Sequence, residues 1–234
     1  MKLAAIFLLL AITSCEKWSY SGKHGPNSWG DLDIKYKFCK IGYNQSPIDI
    51  TSEFKEHDLK FTHSDSTIVK ENKKYNLALH FYGENFLFRG KKKYMLRNLE
   101  FRHPSEHLVK GKNHSLEMQI TYKSEDEQSL RLAFFFEPDT KTNSENSQFS
   151  KLIKFLSSNE KEGKVDIASL VPQTDLAFFY EGSNTVPPCR EGVKWYVMKT
   201  PIAISKDQMQ QIIKSAIFVP SNARPVQKFN PEGY

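Results

Sequence analysis

Six side chains within one short stretch are of the types needed for metal, acid–base or ion-pair chemistry. In YMLRNLEFRHPSEHLVKGKNHSLEMQITYK, residues 94–123, they are Glu100, Arg102, Glu106, His107, Glu117 and Gln119. Residues 94–101 and 115–122 read as two β-strands joined by a connection with Pro104 near its start and Gly111 before the return. Side chains two apart on a strand share a face, so Glu100 points with Arg102 and Glu117 with Gln119. Those four are expected to line one site. Carboxylate and amide oxygens suit Mg²⁺, Ca²⁺ or Mn²⁺, but the Arg102 guanidinium stays charged at any working pH. At about 4 Å and an effective dielectric near 20 it would repel a divalent cation by roughly 8 kcal/mol. The expected chemistry is therefore an ion pair, Glu100 with Arg102 or Glu117 with Arg102, with Gln119 completing the hydrogen bonds. His103, His107 and His114 offer a different metal set, but their spacing follows no ligand pattern.

The elements that must position this stretch are mostly strands. Residues 58–88 hold short apolar runs, Leu77-Ala78-Leu79 and Phe86-Leu87-Phe88, broken by Gly83 and followed by Gly90, which predicts several strands and hairpins. Residues 130–136 and 176–180 are apolar runs of strand length, and 139–147 is a polar loop. The spacing predicts a helix over 148–157, with Phe149, Leu152, Ile153 and Leu156 on one side. A last helix over 206–217 carries Met209, Ile212, Ile213 and Ala216, with Ser205 as its N-cap. The opening residues, Trp18-Ser19-Tyr20, Gly25-Pro26 and Trp29, are aromatic and turn-rich with no helical period.

Length and composition bound the rest. A chain of 234 residues with 17 Phe and 10 Tyr can bury one large aromatic core, and no repeat or linker divides it. The expected organisation is one domain over 16–234. The net charge of +6 is diffuse and no stacking motif accompanies it, which argues against nucleic acid. Residues 1–14 read as an export signal, with an apolar stretch over 3–12 that is too short for a membrane span. Ile12-Thr13-Ser14-Cys15 resembles a lipobox, which would leave Cys15 lipidated at the mature N-terminus; ordinary signal-peptidase cleavage is the alternative. The protein is thus expected in the periplasm or at the cell surface.

The run N-L-E-F-R-H-P-S-E-H followed by L-E-M-Q-I is similar to the zinc-binding core of the α-class carbonic anhydrases, matching at Asn98, Phe101, Pro104, Ser105, Glu106, His107 and Glu117. Further resemblances are the W-x-Y-x-G opening with Tyr20 at the site rim, Asn44-Gln45-Ser46-Pro47-Ile48-Asp49-Ile50, the segment 182–189, and Asn222-Ala223-Arg224-Pro225-Val226-Gln227. The resemblance spans almost all of the mature chain. It implies a mixed α/β, mostly β fold: a large, mainly antiparallel twisted sheet with short peripheral helices. It also implies a Cys39–Cys189 disulfide, consistent with an oxidising compartment, which leaves Cys15 over.

The resemblance fails at the chemistry. The places of the three zinc histidines are taken by Glu100, Arg102 and Gln119. Thr185 corresponds to the threonine that orients the zinc-bound hydroxide, Glu106 to the glutamate that orients the threonine, and Glu117, with Asn98, to the shell supporting the ligands. Asn184 replaces a leucine of the carbon dioxide pocket, Val186 stands where many relatives have threonine, and Glu84 falls where many carry a proton-shuttling histidine. The expectation is a catalytically silent member without zinc, working as a binding or structural module of the envelope. Its partner would be an anionic glycan or another envelope protein. Lys91, Lys92 and Lys93 at a hairpin turn, with Lys73, Lys74, Lys110 and Lys112, would form an anion-binding patch if they converge. The alternative is a carbonic anhydrase with a non-standard metal site.

Overall fold

A computed structural model describes residues 17–171 and 176–230. The expected export segment and Cys15 lie outside the described residues.

Period-two alternation of apolar and polar side chains turns most of the chain into strands. They are β1 (Asp49–Ile50), β2 (Lys55–Glu56), β3 (Leu59–Thr62), β4 (Asp65–Asn72), β5 (Leu77–Tyr82), β6 (Phe86–Arg89), β7 (Lys92–Arg102), β8 (Leu108–Val109), β9 (Lys112–Asn113), β10 (Leu116–Lys123), β11 (Ser129–Pro138), β12 (Glu162–Asp166), β13 (Leu176–Ser183), β14 (Glu191–Met198) and β15 (Ile202–Ile204). One large sheet runs β12-β4-β5-β7-β10-β11-β14-β13-β2, with β15 on β11, β6 on β7 and β3 on β6. Its pairings are antiparallel except those of β11 with β14 and β15. A small sheet joins β1, β8 and β9. The helices are short: α1 (Trp29–Leu32), α2 (Phe38–Ile41), α3 (Ser147–Ser157), α4 (Ile167–Leu170) and α5 (Lys206–Ala216). This is the mostly β, mainly antiparallel architecture expected.

The two faces of the sheet do different work. Leu99, Phe101, Met118, Ile120, Leu132 and Phe134 bury one face against Phe149, Leu152 and Leu156 of α3 and Met209 and Ile212 of α5. Each such side chain contributes about 1.5–3 kcal/mol when fully buried. Helix α5 starts on a capping box, with Ser205 Oγ accepting from the Gln208 N–H at 3.1 Å and Gln208 Oε1 accepting from the Ser205 N–H at 3.3 Å. The opposite face carries a row in register across seven strands: Glu71, Ala78, Glu100, Gln119, Ala133, Val197 and Phe178. Because Leu99 and Phe101 must face the core, Glu100 and Arg102 cannot. A slip of one residue would drive the charges into the apolar core and turn the aromatics to the polar side.

The opening segment is turn-rich with no helical period, as expected. It winds through single turns at Gly22–His24, Pro26–Ser28, α1, Ile34–Tyr36 and α2. Each is three or four residues long, so no 3.6-residue period can repeat in the sequence. What fixes the segment is an aromatic nest. Trp18, Tyr20, Trp29 and Tyr75 meet with ring centroids 4.9 to 5.6 Å apart, and Trp29 Nε1 donates to the Ser19 carbonyl at 2.7 Å.

The Cys39–Cys189 disulfide is present, with Cα atoms 5.0 Å apart across 150 residues of chain. It ties α2 to the turn between β13 and β14. In the chain-entropy account, closing a loop of that length removes about 5 kcal/mol of freedom from the unfolded chain. The double change Cys39→Ala/Cys189→Ala is expected to lower unfolding free energy in guanidinium by about 3–5 kcal/mol. An unchanged midpoint would mean that the aromatic nest alone holds the opening segment.

Candidate functional site

The four residues brought together by strand alternation do meet. Arg102, at the end of β7 and 1% exposed, donates from Nη2 to Glu100 Oε2 at 2.7 Å and from Nη1 to the Phe101 carbonyl at 3.2 Å. Of the two ion pairs expected, this is the one that forms. The other Glu100 oxygen accepts from Lys73 Nζ at 2.7 Å, so one carboxylate bridges two cations. The second carboxylate on Arg102 is Glu106, whose Oε2 accepts from Nε at 3.3 Å.

Glu117 cannot pair with Arg102 because it is already occupied. Its Oε2 accepts from the His107 backbone N–H and its Oε1 from His107 Nδ1, both at 2.9 Å. Gln119 closes the circuit, donating from Nε2 to Glu106 Oε2 and to Glu117 Oε1, each at 2.8 Å. His107 Nε2 meets the Tyr180 hydroxyl at 2.7 Å. Glu106 is held from behind by the Arg224 N–H at 3.0 Å. Arg224 is itself buried, its guanidinium spent on Gln45 Oε1 and the carbonyls of Ser46 and Cys39.

Burial sets the electrostatics. It disfavours the charge on Arg102, but Glu100 and Glu106 outweigh it and raise its pKa above the ordinary value. Burial likewise raises the Glu100 pKa, and the adjacent Arg102 and Lys73 overcome this and lower it. Glu117 also lies low, because the bonds from His107 prevail over burial. Burial, above all, pushes the Tyr20 hydroxyl pKa up, against the charge of Arg102. Above the pair lies a cavity of about 420 Å³. Glu100 and Arg102 line it together with Asn72, Lys73, Lys74 and Val186.

Several sequence expectations change. Glu106 is not turned to Thr185: it accepts from Arg102 and Gln119, and Thr185 Oγ1 is buried without a hydrogen-bond partner. A guanidinium and an amide aimed at one carboxylate oxygen leave a neutral hydroxyl no place there. Asn98 pairs in register with His80 and Thr121 and takes no part in the circuit. The three histidines do not converge, since His103 Nδ1 is 2.8 Å from the Ser115 carbonyl and His114 Nδ1 is 2.7 Å from Glu137. The lysine patch does not form at the hairpin either. Lys92 is bound to Asp126 at 2.8 Å, Lys93 lies 3.5 Å from the centre of the Phe86 ring, and successive strand residues point to opposite faces. Lys91 is exposed at the turn, and Glu84 is exposed.

Arg131 was missed. It stands opposite Thr121 in register, donates from Nη2 to Asn184 Oδ1 at 2.8 Å and lies 5.4 Å from the Trp195 ring centre. Burial lowers its pKa, while Glu100 supports the charge. The signal was a lone arginine inside the apolar run 130–136. The Glu71–His80 contact at 2.6 Å was missed too, because only β-pairing joins residues nine apart.

The Glu100 carboxyl has a lower pKa folded than its ordinary value of 4.5, so its contribution to stability is full above that value and is lost as pH falls below it. Glu100→Gln is expected to cost about 3 kcal/mol at neutral pH. The gap to wild type, followed by urea unfolding, should narrow as pH drops from about 5 towards about 2. A gap independent of pH would remove the ion pair from the account. Arg102→Met, which strands two buried carboxylates, is expected to cost about 3–5 kcal/mol.

Comparison with known proteins agrees with the fold and the motifs. The chain is 31% identical to the carbonic anhydrase of Neisseria gonorrhoeae over 217 residues, covering 91% of this chain and 85% of that protein. It is 30% identical to the carbonic anhydrase of Klebsiella pneumoniae over 237 residues, covering 97% and 94%. The solved structure of the Photobacterium profundum α-carbonic anhydrase superposes with a TM-score of 0.79 at 29% identity, covering 92% of this chain and 97% of that one. Residues 24–231 match the profile of the eukaryotic-type carbonic anhydrases, and the chain belongs to that family.

Proposed function

We propose that this member of the family holds no zinc, does not hydrate carbon dioxide, and serves as a binding module of the cell envelope. The observation that carries this reading is the Arg102 guanidinium, fixed by Glu100 and Glu106 at a position where the family resemblance calls for a metal ligand. Zinc requires Lewis-base donors, three from the protein in a catalytic site. Arg102 has only N–H donors to offer. Gln119 turns its amide nitrogen to two carboxylates, and Glu100 is already neutralised by Arg102 and Lys73. The residues present do not fit the ion.

The surroundings support the same reading. The link from Glu106 to Thr185, which would orient a hydroxide, is replaced by bonds to Arg102 and Gln119. Asn184, at the position of a leucine of the carbon dioxide pocket in relatives, accepts here from Arg131. What remains is a cavity of about 420 Å³ lined by charges of both signs, Lys73, Lys74 and Arg102 with Glu71 and Glu100, and within the range of small-molecule pockets. Export and a lipid anchor on Cys15 belong to this reading and rest on the residues before Lys17.

The relatives' names favour the other reading, an active carbonic anhydrase, and one preparation separates the two. Purified protein is expected to contain no stoichiometric zinc by elemental analysis and to hydrate carbon dioxide no faster than buffer in stopped flow. The triple change Glu100→His/Arg102→His/Gln119→His is expected to bind one equivalent of zinc. One equivalent in the unaltered protein, lost on Gln119→Ala, would establish the active reading instead.

A further inference from the structure

The opening segment carries an apolar face that nothing in the fold covers. Its last turns are a 3₁₀ turn at Ile34–Tyr36 and then α2, with the Lys37 carbonyl between them accepting from the Lys40 and Ile41 N–H groups. Leu32, Tyr36 and Cys39 pack into the cluster with Trp29 and Cys189. Ile34, Phe38 and Ile41 stay outside it, 80%, 40% and 68% exposed, and Tyr43 follows at 59%. Four of the seven exposed large apolar side chains among the described residues fall in these ten positions. Apolar side chains left outside the core this close together call for a second apolar surface.

The charges around that face identify the surface. Lys35, Lys37 and Lys40 alternate with the apolar residues and all are exposed. Lys40 pairs with Asp31 at 2.8 Å, and Lys35 and Lys37 have no ion pair among the described residues. An apolar stripe flanked by lysines is the pattern of a segment lying in the interface of an anionic bilayer, with its apolar side chains among the acyl chains and its ammonium groups at the phosphates. The start of the described chain lies at the same place. Lys17 Nζ is 3.5 Å from Asp33, the neighbour of Ile34.

We infer that the surface formed by Ile34, Phe38, Ile41 and Tyr43 with Lys35 and Lys37 docks on an anionic phospholipid bilayer, laying the domain against the membrane. This does not depend on whether the site binds zinc. The test uses the full chain carrying Ile41→Trp. The native Trp18, Trp29 and Trp195 are buried and shielded from lipid, so the new indole reports the face itself. With vesicles of phosphatidylcholine and phosphatidylglycerol containing a brominated acyl chain, its emission is expected to be quenched at least about twofold more than that of the unsubstituted chain. Omitting phosphatidylglycerol, or adding Lys35→Glu/Lys37→Glu, is expected to reduce that extra quenching at least about threefold, in line with the contribution of each lysine near an anionic surface. Indole emission untouched by brominated lipid, with the chain held on the vesicles through its N-terminus alone, would overturn the proposal. So would a blue shift of the introduced indole that appears with self-association in the absence of vesicles, since the face would then be a protein contact.

Discussion

A guanidinium buried in a protein is tolerated only where carboxylates and carbonyls take up its charge and its N–H groups, because desolvating the ion costs several kcal/mol and removing one partner strands the others. Arg102 meets that condition through Glu100, Glu106 and the Phe101 carbonyl. The demand then propagates. Glu106, drawn to Arg102, needs Gln119 and the Arg224 N–H for its remaining lone pairs. Gln119 in turn engages Glu117, which holds His107, which reaches Tyr180. The circuit is a rigid polar plug at the centre of the sheet, satisfied by its own members except for Gln119 Oε1 and Thr185 Oγ1.

The rest of the fold keeps that plug in place. Strand register decides which side chains can reach it, since Glu100 faces Gln119 and Arg102 faces Glu117 across β7 and β10. The apolar face underneath, packed on α3 and α5, makes a slip prohibitively expensive. The opening segment closes the site from the side through its aromatic nest, and the disulfide fixes that segment to the β13–β14 turn. Arg224 joins three separate parts of the chain by bonding Gln45, Ser46 and Cys39, at the cost of a pKa pushed down to about 10 by burial.

A fold and the chemistry it hosts are separable, because activity resides in a few side chains on a scaffold that many sequences share. Around Arg102 the side chains engage one another: Glu117 accepts from Gln119, two positions along, and Glu106 accepts from Arg102. Arg131 likewise donates from Nη2 to Asn184, across 53 residues of chain.

Much of this was legible in the residues. Alternation places Glu100, Arg102, Glu117 and Gln119 on one face, apolar period predicts the helices over 148–157 and 206–217, and the sequence motifs point to the family. Period and charge are local properties, so they survive in one dimension. The partner of Arg102 was another matter. Glu100 and Glu117 were equally placed by alternation, and only the approach of His107 to Glu117 decided between them. Arg131, the Lys73 bridge and the turn away from Thr185 were hidden for the same reason, as were the single-turn helices of the opening segment. Each depends on atoms distant in sequence competing for one lone pair or one patch of surface. The chain alone determined which residues share a face and that a fixed positive charge stands among them; which carboxylates neutralise it was settled only by packing, because hydrogen-bond capacity is finite and goes to the nearest strong donor.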